Sequence, residues 1–189
     1  MLQKYLIPQR ALAVKKTAVK LSKTRLGKER KIVEYQVVKS AAQWRKELSA
    51  EAYHVLREAG TEPPGSGKLL DEDRPGIYYC GACRAPLFRA NEKFTSYCGW
   101  PAFFAPLRPA AVLYREDNSL AQVRTEVLCS SCGSHLGHVF PDAPQTPTGL
   151  RYCMNSLALY FVPDTGSIAD MESTPDVENV PGVEPGESK

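Results

Sequence analysis

No segment of this 189-residue chain approaches the about 18 consecutive apolar residues that a membrane-spanning helix requires. An apolar secretory core is missing too. Ala11-Leu12-Ala13-Val14 is too short, so neither a secretory leader nor the disulfide framework of a secreted domain is expected. Strand and helix patterns do not alternate, which excludes a parallel sheet built from βαβ units. Positive charge is also missing where a nucleic-acid-binding core would carry it. Residues 1–39 hold eleven Lys/Arg against two acids, residues 40–162 hold twelve of each, and residues 163–189 hold seven acids against one lysine. The central segment is therefore formally neutral, and a nucleic-acid partner is not expected.

What remains is enough for one domain. Apolar residues make up 43 % of the chain, as in a globular protein with a real core. Residues 1–39 form a basic extension without a helical stripe. A targeting presequence or an arm for an acidic partner are alternatives, and a poorly ordered, solvated extension is the reading adopted. Residues 40–162 are the folded domain. Residues 163–189, acidic and with four prolines, are expected to be disordered.

Two short helices open the domain. Ser40 caps Ala41 to Leu48, with Gln43 completing a capping box, and Ser49 caps Ala50 to Ala59, with Gly60 as the stop. Ala52, Val55, Leu56 and Ala59 form the apolar stripe, leaving His54 on the wet side. After the loop Pro63-Pro64-Gly65-Ser66-Gly67 the pattern turns to short strands. Ile77 to Tyr79, Ala111 to Tyr114, Leu120 to Leu128, Leu150 to Asn155 and Leu157 to Val162 are predicted strands, with a hairpin turn at Glu116 to Ser119. Val123, Thr125 and Val127 alternate with Arg124 and Glu126, which predicts one buried and one wet face.

The six cysteines carry the first chemical signal. Cys80/Cys83 and Cys129/Cys132 are two C-x2-C pairs. Two residues between thiolates let one tight turn aim both sulfurs at one ion, and two such knuckles complete the closed tetrahedral site of structural Zn²⁺. A thioredoxin-like redox motif predicts one such pair, not two. The long separation of the knuckles requires a folded insert between them.

Cys98 and Cys153 are left as free thiols, either inert and buried or reactive. In a strand, Arg151, Cys153 and Asn155 share a face, and a guanidinium beside a thiol favours the nucleophilic thiolate. His135 and His138 lie an odd number of residues apart, so a regular strand sends their rings to opposite faces. A bulge at Gly137 would bring them together. They are either structural histidines or proton-transfer groups. A ligand role beside Cys129 and Cys132 would orphan Cys80 and Cys83. Trp100, two residues from Cys98, is either a core residue or an aromatic wall suited to a methyl–sulfur group.

Cys98-Gly99-Trp100-Pro101, His135-Leu136-Gly137-His138-Val139-Phe140 and Gly149-Leu150-Arg151-Tyr152-Cys153-Met154-Asn155-Ser156 resemble the signatures of the type B methionine sulfoxide reductases, from about Trp44 to Val162. The chain departs from that pattern at Gly65, where Phe usually follows the proline, and at Tyr97, where Gly commonly precedes the cysteine. The resemblance implies a mainly β fold of coiled antiparallel sheets, β-tent-like, with short N-terminal helices and a structural zinc site. It implies that Cys153 attacks methionine (R)-sulfoxide in oxidised proteins and becomes a sulfenic acid. His135, His138 and Asn155 would assist, Trp100 and Arg151 would bind substrate, and Cys98 would resolve the sulfenic acid to a disulfide for a thioredoxin-like reductant. One Zn²⁺ would be held by Cys80, Cys83, Cys129 and Cys132. A cytoplasmic monomer is expected, with no membrane partner. The competing reading, a zinc-ribbon binding module with a basic N-terminal arm, rests on residues 1–39 alone and leaves these motifs unexplained.

Overall fold

The structure, a computed structural model, describes residues 20–23 and 29–164, with side chains from Val33 onward. The acidic tail beyond Asp164 and most of the basic extension lie outside the described residues, and so does the expectation of disorder for them. Within the extension, β1 (Lys20–Lys23) pairs antiparallel with β2 (Glu29–Ile32).

Helix α1 (Ala41–Glu47) starts at the expected capping box. The Gln43 N–H donates to Ser40 Oγ at 3.2 Å, and the Ser40 N–H donates to Gln43 Oε1 at 2.8 Å. Helix α2 (Ala50–Glu58) starts at Ser49, whose hydroxyl accepts from the Ala52 N–H. Its end differs from the expected one. Ala59, not Gly60, takes the left-handed conformation (φ 56°) and is exposed. At Gly60, which has no left-handed φ, a Cβ would meet the His54 ring at 2.3 Å, so that exposed side chain would have to move. Val55 and Leu56 are buried as the stripe predicts, and Trp44 of α1 is buried beside them. His54 lies at the surface against Glu58.

Nine further strands build two sheets, and every strand pair among the described residues is antiparallel. In chain order they are β3 (Gly76–Cys80), β4 (Pro86–Arg89), β5 (Lys93–Phe94), β6 (Ala102–Phe103), β7 (Val112–Asp117), β8 (Arg124–Cys129), β9 (His135–Ala143), β10 (Gly149–Met154) and β11 (Leu159–Pro163). The larger sheet has the order β5-β6-β10-β9-β8-β7 and the smaller β11-β3-β4. The expected mainly β, antiparallel architecture with two short helices is what the chain forms. The core lies between the sheets. Phe88 stacks on Phe103 at 4.5 Å and Tyr78 meets Phe103 edge-on at 4.9 Å, all three rings fully buried. Emptying one such position costs about 3–5 kcal/mol. The aromatic packing therefore fixes how the two sheets, and the site residues on them, face each other.

Two sequence expectations about strands change. The β7–β8 turn is displaced to residues 118–123, because pairing continues to Asp117↔Arg124 and the Asp117 carboxylate accepts the Ser119 N–H at 2.9 Å. The expected wet face of β8 holds only in part. Val127 is buried as expected, but Thr125 and Val123, just before the strand, are exposed while Glu126 is buried at 4 % exposure. Alternation alone does not distinguish a face turned to water from a polar face turned to buried partners.

Candidate active site and metal centre

The four knuckle cysteines stand where the two sheets meet. Cys80 ends β3 and Cys83 lies in the turn to β4. Cys129 ends β8 and Cys132 lies in the turn to β9. Their sulfurs all lie within 4.8 Å of one another. Cys80–Cys132 and Cys83–Cys129 are 3.8 and 3.6 Å apart, against about 3.8 Å for the edge of a tetrahedron of thiolates about 2.3 Å from a metal. The cluster can hold one metal ion and would tie the smaller sheet to the larger. The α2 residue Arg57 reaches the same corner, donating to the Cys132 carbonyl at 3.1 Å and to Ser134 Oγ at 3.0 Å. Gly133 has a positive φ of 70°, and Tyr35 packs so closely that a Cβ there would lie 2.5 Å from its ring.

Cys98 and Cys153, separated by 55 residues, come together with Sγ atoms 3.5 Å apart. Strand β10 places Cys153 between Ala102 of β6 and His138 of β9 in the pairing register. Cys98 sits in the turn before β6. That turn explains the family preference for Gly before the cysteine: Tyr97 is left-handed (φ 52°) and 95 % exposed. The two sulfurs lie within hydrogen-bond reach, so each influences the other's titration. A hydrogen bond from Cys153, joined by one from the Ser96 hydroxyl at 3.0 Å, brings the Cys98 thiol down to about 5 against the opposing effect of burial. The same hydrogen bond and burial push the Cys153 thiol well above its ordinary range, and the Arg151 charge opposes them. Arg151 thus acts in the expected direction and is outweighed by the second sulfur.

The odd spacing of His135 and His138 is resolved by a bulge. The β8–β9 register shifts between Val127↔Gly137 and Leu128↔His135, leaving Leu136 as the extra residue. Both rings therefore reach one side, with centroids 5.4 Å apart. Gly137 is the tight point, since a Cβ there would lie 2.1 Å from the Cys153 carbonyl oxygen. Each ring has its own carboxylate. His135 Nδ1 lies 2.7 Å from Glu126 Oε1, and His138 Nε2 lies 2.7 Å from Asp117 Oδ2. Arg115 holds the other Glu126 oxygen, Oε2, and Arg124 shares Asp117 Oδ2 with His138, each at 2.7 Å. Burial pushes the His135 imidazole below its ordinary value, against the opposing Glu126 carboxylate. Its Nε2 is buried without a partner among the described residues. The Ser119 side chain and backbone, followed by His138, hold the Asp117 carboxyl well below the usual carboxylate range.

An open pocket of about 380 Å³, counting its mouth, is lined by Thr61, Trp100, Arg124, Gly137, His138, Phe140, Cys153 and Asn155. Trp100 contributes its ring while its indole N–H donates to the Glu62 carbonyl at 3.1 Å. Asn155 is 2 % exposed and holds the histidine bulge through its backbone. Both its main-chain N–H (2.9 Å) and its Nδ2 (3.1 Å) donate to the Leu136 carbonyl. Arg151 does not line the pocket. It forms a two-point ion pair with Asp142 (2.9 and 2.7 Å) and lies over Phe140 at 4.6 Å. Phe140, not Arg151, faces the pocket.

Five residues around the site escape the sequence reading: Thr61, Glu62, Asp117, Arg124 and Glu126. The alternation in the sequence predicts a wet face for Arg124 and Glu126, and Asp117 falls in the expected hairpin turn. The one available signal is positional. Glu126 stands opposite His138 across the β8–β9 ladder, which an acid-bearing strand next to a histidine-bearing strand could suggest.

Comparison with known proteins agrees with this geometry. The SelR domain family matches residues 48–163. Among curated relatives, the peptide methionine sulfoxide reductase MsrB of Leifsonia xyli is 60 % identical over 131 residues, 69 % of this chain and 94 % of the relative. The protein of the same name from Agrobacterium fabrum is 50 % identical over 128 residues, 68 % of this chain and 94 % of the relative. That from Alteromonas mediterranea is 56 % identical over 118 residues, 62 % of this chain and 82 % of the relative.

Proposed function

The chain belongs to the SelR-domain family of peptide methionine sulfoxide reductases, type B, which reduce methionine (R)-sulfoxide in oxidised proteins, and from that premise we propose how its own residues carry the reaction. The observation that carries the proposal is the 3.5 Å separation of Cys98 from Cys153, which lines a pocket together with Trp100 and His138.

Cys153 is the nucleophile. Its proton passes to the neighbouring Cys98 thiolate, and the Cys153 sulfur attacks the sulfoxide sulfur. The substrate methyl group packs on the Trp100 ring, where sulfur–aromatic contact is favourable. The sulfoxide oxygen gains a proton from His138, the one of the two histidines that lines the pocket. His135, buried with its Nδ1 on Glu126, supports that ring from the side. Methionine leaves, its oxygen stays on Cys153 as a sulfenic acid, and Cys98–SH displaces that oxygen as water to form a disulfide. A thioredoxin-like dithiol then reduces the disulfide by exchange. Arg151 steadies the site from behind the pocket, through Asp142 and Phe140.

The four-cysteine cluster takes Zn²⁺. An all-thiolate set with near-tetrahedral sulfur separations suits that ion. It acts as a structural clamp between the sheets and takes no redox step. Zinc thiolates and a recyclable disulfide both suit a reducing, cytoplasmic compartment, and a monomer suffices because the site is complete within one chain. The folded domain corresponds to residues 40–162.

The test is turnover of a methionine (R)-sulfoxide peptide with a thioredoxin system. The unaltered chain should turn over repeatedly, Cys153→Ser not at all, and Cys98→Ser once before stalling. Full turnover by Cys153→Ser, or sustained thioredoxin-driven cycling by Cys98→Ser, would overturn the assignment.

A further inference from the structure

Glu62 is 4 % exposed and takes no part in the reaction just described. Its carboxylate accepts two main-chain N–H groups, those of Ser156 at 2.6 Å and Leu157 at 2.9 Å, in the 3-10 turn Ser156–Ala158 that follows Cys153 on the chain. Its own main chain makes two more bonds. The Glu62 N–H donates to Asn155 Oδ1 at 3.1 Å, and the Glu62 carbonyl accepts the Trp100 indole N–H at 3.1 Å. The segment is strapped to the Cys98 turn a little further on, where the Gly65 N–H donates to the Gly99 carbonyl at 2.8 Å. Gly99 has a φ of +92°, and a Cβ on it would lie 2.7 Å from Pro64.

We infer that Glu62 is a positioning residue: its carboxylate anchors one loop to the end of the Cys153 strand, and that loop in turn aims the Trp100 wall and locks Asn155. The connection runs through bonds to buried groups. With the Asn155 oxygen taken by Glu62 and its amide nitrogen by Leu136, the asparagine has one orientation. Its grip on Leu136 fixes the backbone between His135 and Gly137. With the indole N–H on Glu62, the Trp100 ring has one tilt against the place where a substrate methyl group would lie. Charge-assisted bonds from a buried carboxylate to main-chain N–H groups are among the stronger kinds, and removing one partner leaves a buried donor unsatisfied. Thr61, next to Glu62, lines the pocket, so a shift of the loop also moves the pocket wall. The inference rests on the reading of Trp100 as the wall for the methyl group.

The test substitutes Glu62→Gln, whose amide offers one acceptor oxygen in place of two. It is run on the full zinc-loaded chain with a methionine (R)-sulfoxide peptide and dithiothreitol. The expected result is a raised KM and a kcat/KM lowered by about tenfold or more, as for a reacting group held slightly out of place. The pH profile should keep its shape, because none of the groups that exchange protons in the reaction is changed, and the zinc content should stay unchanged. The Trp100 indole N–H resonance, identified by its loss in Trp100→Phe, should shift. Kinetics indistinguishable from the parent chain together with an unmoved indole resonance would overturn the inference. If Glu62→Gln does not fold, Ser156→Pro removes one of the two amide donors instead. Pro is tolerated at a first helical position, and Asn155 (φ −65°, ψ 134°) already has the backbone that precedes one. Failure of both variants to fold would make Glu62 a residue of the fold only and would likewise overturn the inference. Absence of turnover in the parent chain would refute the reductase reading itself, while the indole resonance would still report on Glu62.

Discussion

The Cys98 and Cys153 sulfurs lie 3.5 Å apart, so closing them to the about 2.05 Å of a disulfide needs only a small movement of side chains. The same proximity makes each sulfur the main influence on the other. The donor from Cys153 lowers the Cys98 thiol, and the bond between them raises the Cys153 thiol.

Cys98 is accordingly expected to be the thiolate of the pair at neutral pH. Alkylation by iodoacetamide, followed by peptide mass spectrometry, should mark Cys98 first. The rate should fall as pH drops through about 5, where the thiolate gains its proton. Cys153→Ala removes the hydrogen-bond donor and should move that midpoint up toward the ordinary thiol range. Preferential labelling of Cys153, or an unmoved midpoint, would contradict that expectation.

Asp117 links His138 to Arg124. Replacing it with Asn leaves the shape but removes the carboxylate, and kcat should fall by less than the about 10²–10⁴-fold that a general acid itself contributes, because Asp117 acts only through His138. A stability effect accompanies it. The Asp117 carboxyl is depressed in the folded chain, so it contributes stability above its unfolded value, and that contribution is lost as pH falls through the folded one. Asp117→Asn should therefore melt below the parent chain at neutral pH, and the difference should shrink toward strongly acid pH. A constant difference across the range would assign the loss to packing.

Metal removal should act on the fold before the chemistry. The cysteine cluster joins the two sheets, and none of its members lines the substrate pocket. Cys132→Ser should lose zinc by elemental analysis and melt lower, by about 2–4 °C for each kcal/mol of stability lost in a chain of this size. At a temperature where the variant is still folded, single-turnover reduction with dithiothreitol should persist. Loss of turnover in a folded, zinc-free protein would give the metal a role in the reaction.

The parts of this site that are legible in the sequence share one property: their spacing is local. Cys80/Cys83 and Cys129/Cys132 announce a metal site, Ser40/Gln43 a helix start, and Gly137 a bulge, because each signal lies within a few residues. The supporting acids are not legible for the opposite reason. Glu62 meets Ser156 across 94 residues, and nothing beside it in the chain marks it as buried. Glu126 alternates with apolar neighbours as a solvent-facing residue would, and only its placement beside β9 reveals a histidine partner. Arg151 shows the converse. Strand period correctly puts it on the Cys153 face, but its side chain is held by Asp142 and Phe140 outside the pocket, which period cannot report.

In the proposed reaction the sulfoxide oxygen passes to Cys153. The variant Cys98→Ser, which has no resolving thiol, reports on that transfer when treated with an excess of a methionine (R)-sulfoxide peptide carrying labelled oxygen and no reductant. Mass spectrometry after trapping of sulfenic acids should find one labelled oxygen on the peptide containing Cys153, matched by one equivalent of methionine product. Methionine formed without oxygen on Cys153, or with the oxygen on another residue, would contradict it.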